Sequence, residues 1–291
     1  MEKDIFARTM TATESTGENW TQIIEPTEGI FKFNLRELWH YRDLILLFVR
    51  RDFVSVYKQT ILGPLWHFLQ PLFATAVYTI FISIIKVPTD EIPRILFILT
   101  GVVLWNYFAS CLTKTSNTFI GNAHIFGKVY FPRLVIPISV IVSNLMSFFI
   151  QCLLIIPFLI YYRNNIHPTI YLLAIPFIIL LLAMMGLGIG IFVSSLTIKY
   201  RDLTYLIAFG VQLAMYATPV IYPLSLIPAR FKAIALLNPL SPVVEVFRYA
   251  LLGKGTFTAE TILYSTGFAI TILIIGVIAF RRVEGSFMDT V

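Results

Sequence analysis

The chain has 291 residues, 57% of them hydrophobic and 13% charged, with a net charge of +6 and a mean hydropathy of +0.80. An ordinary soluble domain carries about 25% charged residues, so this composition excludes a soluble globular protein. It also excludes a nucleic-acid binder, because the positive charge follows membrane topology and does not gather in a basic patch.

Residues 1–34 are polar and lack the continuous apolar stretch of a cleaved signal peptide, so they are expected to form a cytosolic N-terminal segment. Residues 35–58 read LRELWHYRDLILLFVRRDFVSVYK. Leu38, Tyr41, Ile45, Phe48, Val49, Phe53 and Val56 recur there at helical spacing, and charged residues fill most of the remainder. The pattern predicts an amphipathic helix at the membrane interface, its apolar side in the lipid boundary. It serves either as a membrane anchor or as a docking surface for a cytosolic protein.

Residues 61–85, 95–112, 134–162, 170–198, 203–227 and 261–280 contain no Asp, Glu, Lys or Arg. A spanning helix needs about 20 apolar residues, so the chain is read as an all-α integral membrane protein with six transmembrane helices within residues 59–285. A short tail, 286–291, follows. Of the 22 Lys and Arg residues, only Lys86, Arg94, Arg163, Arg230, Lys232, Arg248 and Lys254 fall on the outer side of that scheme, which places both termini in the cytosol. Residues 233–252 are apolar enough to suggest a seventh span. However, Asn238-Pro239 and Pro242 break the helix, and Glu245 and Arg248 would sit in hydrocarbon. Two half-helices dipping into the outer leaflet are expected instead, within a segment 222–253. Glu245 and Arg248 are three apart and can pair, either as a local structural ion pair or as a gating contact.

The spans are informative through what they lack. Ion-coupled carriers place acidic, basic or histidine side chains inside the membrane. Here His67 is the one such side chain well inside a run, and an isolated histidine fits a hydrogen-bonded interior role better than a proton relay. Paired carboxylates, HExxH and a Ser/His/Asp set are also missing from the runs, which argues against catalysis. Energy for uphill transport must then come from another polypeptide. GNAHIFGKVYFPR at 121–133 imitates a phosphate loop, but five residues separate its glycines and Val129 follows Lys128 where a hydroxyl is needed. Cys111 and Cys152 lie in apolar runs as small hydrophobes. Gly186, Gly190 and Ser194 form a small-residue stripe that admits a close neighbouring helix.

Trp66, Phe73, Tyr78, Trp105, Tyr107, Phe108, Tyr205, Tyr216 and Tyr222 lie in the runs alongside Gln70, Asn106, Gln212 and Thr218. Such rings either pack in the core and face lipid or line a path for a hydroxyl-rich polymer, whose C–H faces stack and whose O–H groups hydrogen-bond.

QTILGPLWHFLQP at 59–71, GVVLWNYFASCLTKTSNTFIGNAHIFGKVYFPR at 101–133, KYRDL at 199–203, ATPVIYPLSLIP at 217–228 and NPLSPVVEVFRYALLG at 238–253 together resemble the permease subunits of type-2 ABC exporters. The closest branch exports polysaccharides: O-antigen, capsule and teichoic acid. IIEPTEGIFKFNLRELW at 23–39 looks most like the O-antigen branch. The resemblance implies a homodimeric permease of the bacterial cytoplasmic (inner) membrane, carrying two copies of a cytosolic ATPase. It would move a lipid-linked polysaccharide through a channel between the permease halves. The chain itself would bind no cofactor, ATP and Mg²⁺ sitting on the ATPase. Arg50, Arg51, Asp52, Asn122, Lys128, Tyr130, Phe131 and Arg133 would contact that partner. Asn238, Pro239, Glu245 and Arg248 would form an outer gate, and the first and fifth spans a lateral seam for the lipid anchor. Trp66, Phe73, Tyr78, Trp105, Tyr107, Phe108, Tyr216 and Tyr222 would brace the sugar chain. Other cargo on the same scaffold, a capsule or teichoic acid polymer or a lipid or drug, is the alternative. A membrane-embedded glycosyltransferase or polymerase is disfavoured by the few, scattered acidic residues beyond the N-terminal region.

Overall fold

A computed structural model describes residues 35–287 apart from Gln59, Gly127, Val129 and Tyr130. The N-terminal segment 1–34, most of the 286–291 tail and the expected contact residue Tyr130 therefore lie outside the described residues. Every regular element among the described residues is a helix.

The predicted amphipathic helix is two pieces, α1 (Leu35–His40) and α2 (Arg42–Tyr57), joined at Tyr41. Phe48 and Val49 are buried, while Leu46 and Leu47 are exposed. The expected apolar stripe is thus turned onto protein, with Leu38, Tyr41 and Ile45 packed beside Phe48, and a different pair of leucines is left outward.

Five helices are long and apolar enough to cross a membrane, spanning Gly63–Ile85, Arg94–Ser116, Val135–Tyr161, Ile170–Thr197 and Ala259–Val283. Their main helical parts are α3 (Trp66–Ile85), α4 (Arg94–Ser116), α6 (Val135–Leu153) continued by α7 (Ile155–Tyr161), α8 (Ile175–Thr197) and α12 (Ala259–Phe287). Between α4 and α6 lies α5 (Thr118–Phe126). The run 203–227 behaves differently. Its helix, α9 (Leu203–Ala217), stops after 15 residues, about 22 Å at 1.5 Å per residue. Thr218 is extended, as a residue preceding proline prefers, and Pro219 cannot continue the hydrogen-bond ladder. Next come α10 (Ala229–Leu237) and α11 (Leu240–Leu252), bent by 96° at Asn238-Pro239. They are the two half-helices expected from the sequence. Counting that bent pair as one span brings the helices able to cross to six.

The most buried span is α4, with Leu96–Trp105 almost wholly inside the protein. It runs parallel to α8: a Cβ on Gly186 would meet that of Cys111 at 2.7 Å, and one on Gly190 would meet that of Thr115 at 2.7 Å. The small-residue stripe is therefore used within the chain, and Ser194 completes it by accepting the Phe119 backbone N–H at 3.4 Å. The other face of α8 receives α12, where Gly188 abuts the backbone of Ile272 and Leu273. A main apolar core surrounds α4. A second one joins α2, α5, the start of α6 and the far ends of α8 and α12.

Candidate functional site

Two assemblies occupy opposite ends of the bundle. The first is a platform built around the loop that imitates a phosphate site. Phe119 stacks on Phe280 with centroids 4.5 Å apart, and Phe126 lies 5.9 Å from Phe119 and 5.8 Å from Phe131. Phe131 in turn reaches Phe48 of α2 at 5.8 Å. Arg133 places its guanidinium 5.7 Å from the Phe126 ring centre. Asn122 leaves the helical conformation inside α5, and its amide donates to the Thr118 carbonyl at 3.0 Å, satisfying an acceptor that the kink would strand.

The side chains expected to touch a partner are sorted by this packing. Arg50 and Lys128 are exposed. Arg51 is half-buried, bonded to Asp52 at 2.8 Å and laid over Phe48 at 4.6 Å. Phe131 and Arg133 are only 5% and 7% exposed. They are the platform's interior and shape the surface that Arg50, His124 and Lys128 present.

The second assembly closes round the broken end. Arg248 is 1% exposed and donates to the carbonyls of Pro219 at 2.7 Å and Phe97 at 3.4 Å, and also to that of Val220. Its guanidinium lies 3.7 Å above the Phe97 ring centre and 3.3 Å from Glu245. The second Glu245 oxygen accepts the Thr256 N–H at 2.9 Å. One ion pair thereby ties together α4, the chain after α9, α11 and the loop before α12. Asn238 binds the break to the end of α9 through the Thr218 hydroxyl at 2.8 Å, and its own oxygen accepts the Leu240 N–H at 3.0 Å. Hydroxyls of Tyr264, Ser265 and Ser241 cap the carbonyls of Leu237, Pro239 and Ala235. This is how a bent backbone is kept satisfied where water is scarce.

The aromatic set divides. Trp105, Tyr107 and Phe108 are at most 5% exposed and belong to the main core, because α4 is enclosed on most sides. Within a single chain Trp105 and Tyr107 pack in that core, and Phe108 also lines a groove with Leu206, Gly210 and Phe268. Trp66, Phe73, Tyr205 and Tyr216 are exposed on α3 and α9. Tyr78 reaches the Met215 sulfur at 3.9 Å, and the half-buried Tyr222 donates to the Tyr216 carbonyl at 3.0 Å. Half-buried Asn106, Ser110, Thr113 and Asn117 form a stripe along α4, the one side that apolar neighbours do not cover. His67 lies 3.4 Å from the Ser147 hydroxyl and stacks on Phe53 at 6.2 Å, so it is hydrogen-bonded as expected.

The sequence reading missed the polar face of α6. Ser143, Asn144, Ser147 and Gln151 recur at helical spacing inside an uncharged run, a signal the charge count passes over. Gln151 accepts from Asn106 at 3.5 Å. No group of three His, Cys, Asp or Glu residues among the described residues is disposed to hold a metal.

An all-helical bundle with several apolar spans, a bent helix pair and a packed platform at the opposite end defines a polytopic membrane protein. A family model described as ABC-2 type transporter matches residues 43–252, and the chain belongs to that family. It is 35% identical over 263 residues to an O-antigen export system permease protein, RfbA, of Klebsiella pneumoniae, covering 89% of this chain and 97% of the relative. A second Klebsiella pneumoniae protein of that name is 33% identical over the same shares. One from Myxococcus xanthus is 29% identical over 213 residues, 73% of this chain and 80% of its own. The chain is thus the transmembrane transport subunit of an ABC-2 system.

Proposed function

We propose that the chain is the permease of an ATP-driven exporter that moves a lipid-linked polysaccharide of the O-antigen kind across the bacterial inner membrane. Two copies form the channel, both termini face the cytosol, and a separate ATPase in two copies supplies ATP and Mg²⁺ chemistry. The observation that carries this reading is the near full-length similarity to O-antigen export permeases. The molecule supports it in three ways. The spans hold little ionic machinery, which suits an energy source on another polypeptide. The platform at the α5 end offers exposed cations over a packed aromatic base, fitting a partner contact. Exposed rings on α3 and α9, beside the polar stripe of α4, suit many weak contacts to a sliding glycan. The 222–253 segment is the natural outer gate.

The test is twofold. Cells lacking the chain should accumulate glycan-linked lipid on the cytosolic side, and the purified chain should hydrolyse no ATP. Glycan transport by reconstituted chain on a proton or sodium gradient, with no second protein, would refute the reading.

A further inference from the structure

Lys114 occupies the last turn of α4, and its side chain is exposed. A lysine at the end of a span with no other role extends its ammonium into water. This one donates to Oδ1 of Asn144 at 2.9 Å, a side chain of α6 that is only 3% exposed. No carboxylate among the described residues forms an ion pair with it. Asp52 of α2 acts on it electrostatically but is already bonded to Arg51 at 2.8 Å. His67 of α3 lies within electrostatic reach of the same ammonium and shares a hydrogen bond with Ser147. Four elements, α2, α3, α4 and α6, therefore converge on one cation.

The charge balance is uneven. Arg51 neutralises Asp52, which leaves the ammonium in excess before His67 is counted. A neutral amide, that of Asn144, accepts from it, and the half-buried polar stripe of α4 leads away from it through Thr113, Ser110 and Asn106. An uncompensated ammonium flanked by hydroxyl and imidazole groups suits a phosphate: the charge holds the anion and the neutral groups meet its remaining oxygens. At the end of a span, the phosphate most accessible to such a site is one carried by a lipid.

Building on the exporter function proposed above, we propose that Lys114, His67 and Ser147 form a receiving site for the phosphate that joins the glycan to its lipid, at the α5 end of the polar stripe.

The full chain in phosphatidylcholine nanodiscs, titrated with dodecyl phosphate and followed by the emission of Trp66 next to His67, tests the site. Saturable binding is expected. Lys114→Met should weaken it about tenfold or more and Lys114→Arg should leave it within about threefold, as loss or retention of one charge-assisted contact implies. Ser147→Ala, which leaves α4 untouched, should weaken it about threefold. Unchanged affinity in Lys114→Met, or equal loss in Lys114→Arg, overturns the site. Inorganic phosphate should compete poorly; competition at equal concentration would make free phosphate the ligand and overturn the lipid assignment. Export measurements separate the site from the transport function. Glycan export abolished by deletion but normal in Lys114→Met removes the site and leaves the exporter standing. Lys114-dependent binding in a chain whose deletion leaves glycan export intact keeps the site and removes the exporter.

Discussion

The platform at the α5 end is held by rings, Phe48, Phe119, Phe126, Phe131 and Phe280 touching in succession. The α11 end is instead held by one buried guanidinium that bonds to three backbone carbonyls and a carboxylate. Ring contacts tolerate small shifts, because each is weak and weakly directional. A buried charge tolerates none, since every lost partner strands it. Packed rings can give a little and stay packed; a bent backbone in a dry environment cannot.

The largest way to break that contrast is Arg248→Met. It strands Glu245 and three carbonyls, and should cost about 3–5 kcal/mol, read as a lowered thermal midpoint in detergent. The double variant Glu245→Gln with Arg248→Met should recover part of the loss. A wild-type midpoint in the single variant would remove the network from the account. At the aromatic end, Phe131→Ala should cost about 3 kcal/mol, with faster proteolysis of residues 118–133 and weaker ATPase assembly. Phe131→Leu should stay below about 1.5 kcal/mol, so equal damage from both would contradict the tolerance assigned to ring packing.

Gly253→Ala sharpens the comparison at the rim of the polar end. Gly253 ends α11 at a φ of 77°, and a Cβ there would sit 2.5 Å from the His167 carbonyl. A cost of about 1–2 kcal/mol is expected from the left-handed backbone alone, measured by the same melt. The smallest effect belongs to the exposed Glu91–Lys254 pair. The hydrogen bond and charge of Lys254 hold the Glu91 carboxyl below its ordinary range. The pair's contribution is therefore present at neutral pH and lost as pH falls through that lowered value. Lys254→Gln should lower the midpoint slightly at pH 7 and by less and less as the pH falls through that lowered value; a difference that does not shrink in acid would assign the effect to packing.

Much of this organisation is legible in the residues. Five of the six uncharged runs mark spans because hydrocarbon penalises charge, and Asn238-Pro239 marks the bend because proline breaks the ladder. The Glu245–Arg248 pairing follows from a spacing of three on one helix. The direction in which side chains point is less legible. Trp66 and Trp105 are alike as residues, yet one is on the surface and the other in the core. Lys114 counts as a loop cation by charge, yet it lies on α4 bonded to Asn144. Phe131 and Arg133 read as surface contact residues, yet both are buried in the platform while Arg50, His124 and Lys128 stay exposed.

The sequence by itself determined that this is a helical membrane protein with a broken segment before its last span, because composition and periodicity answer to the solvent around each stretch. Only the tertiary structure decided that α4 is the enclosed helix, that α9 stops short, and that α6 receives Lys114 at Asn144 and His67 at Ser147. Those outcomes depend on which helix faces approach one another, and a linear pattern specifies a face without specifying its neighbour.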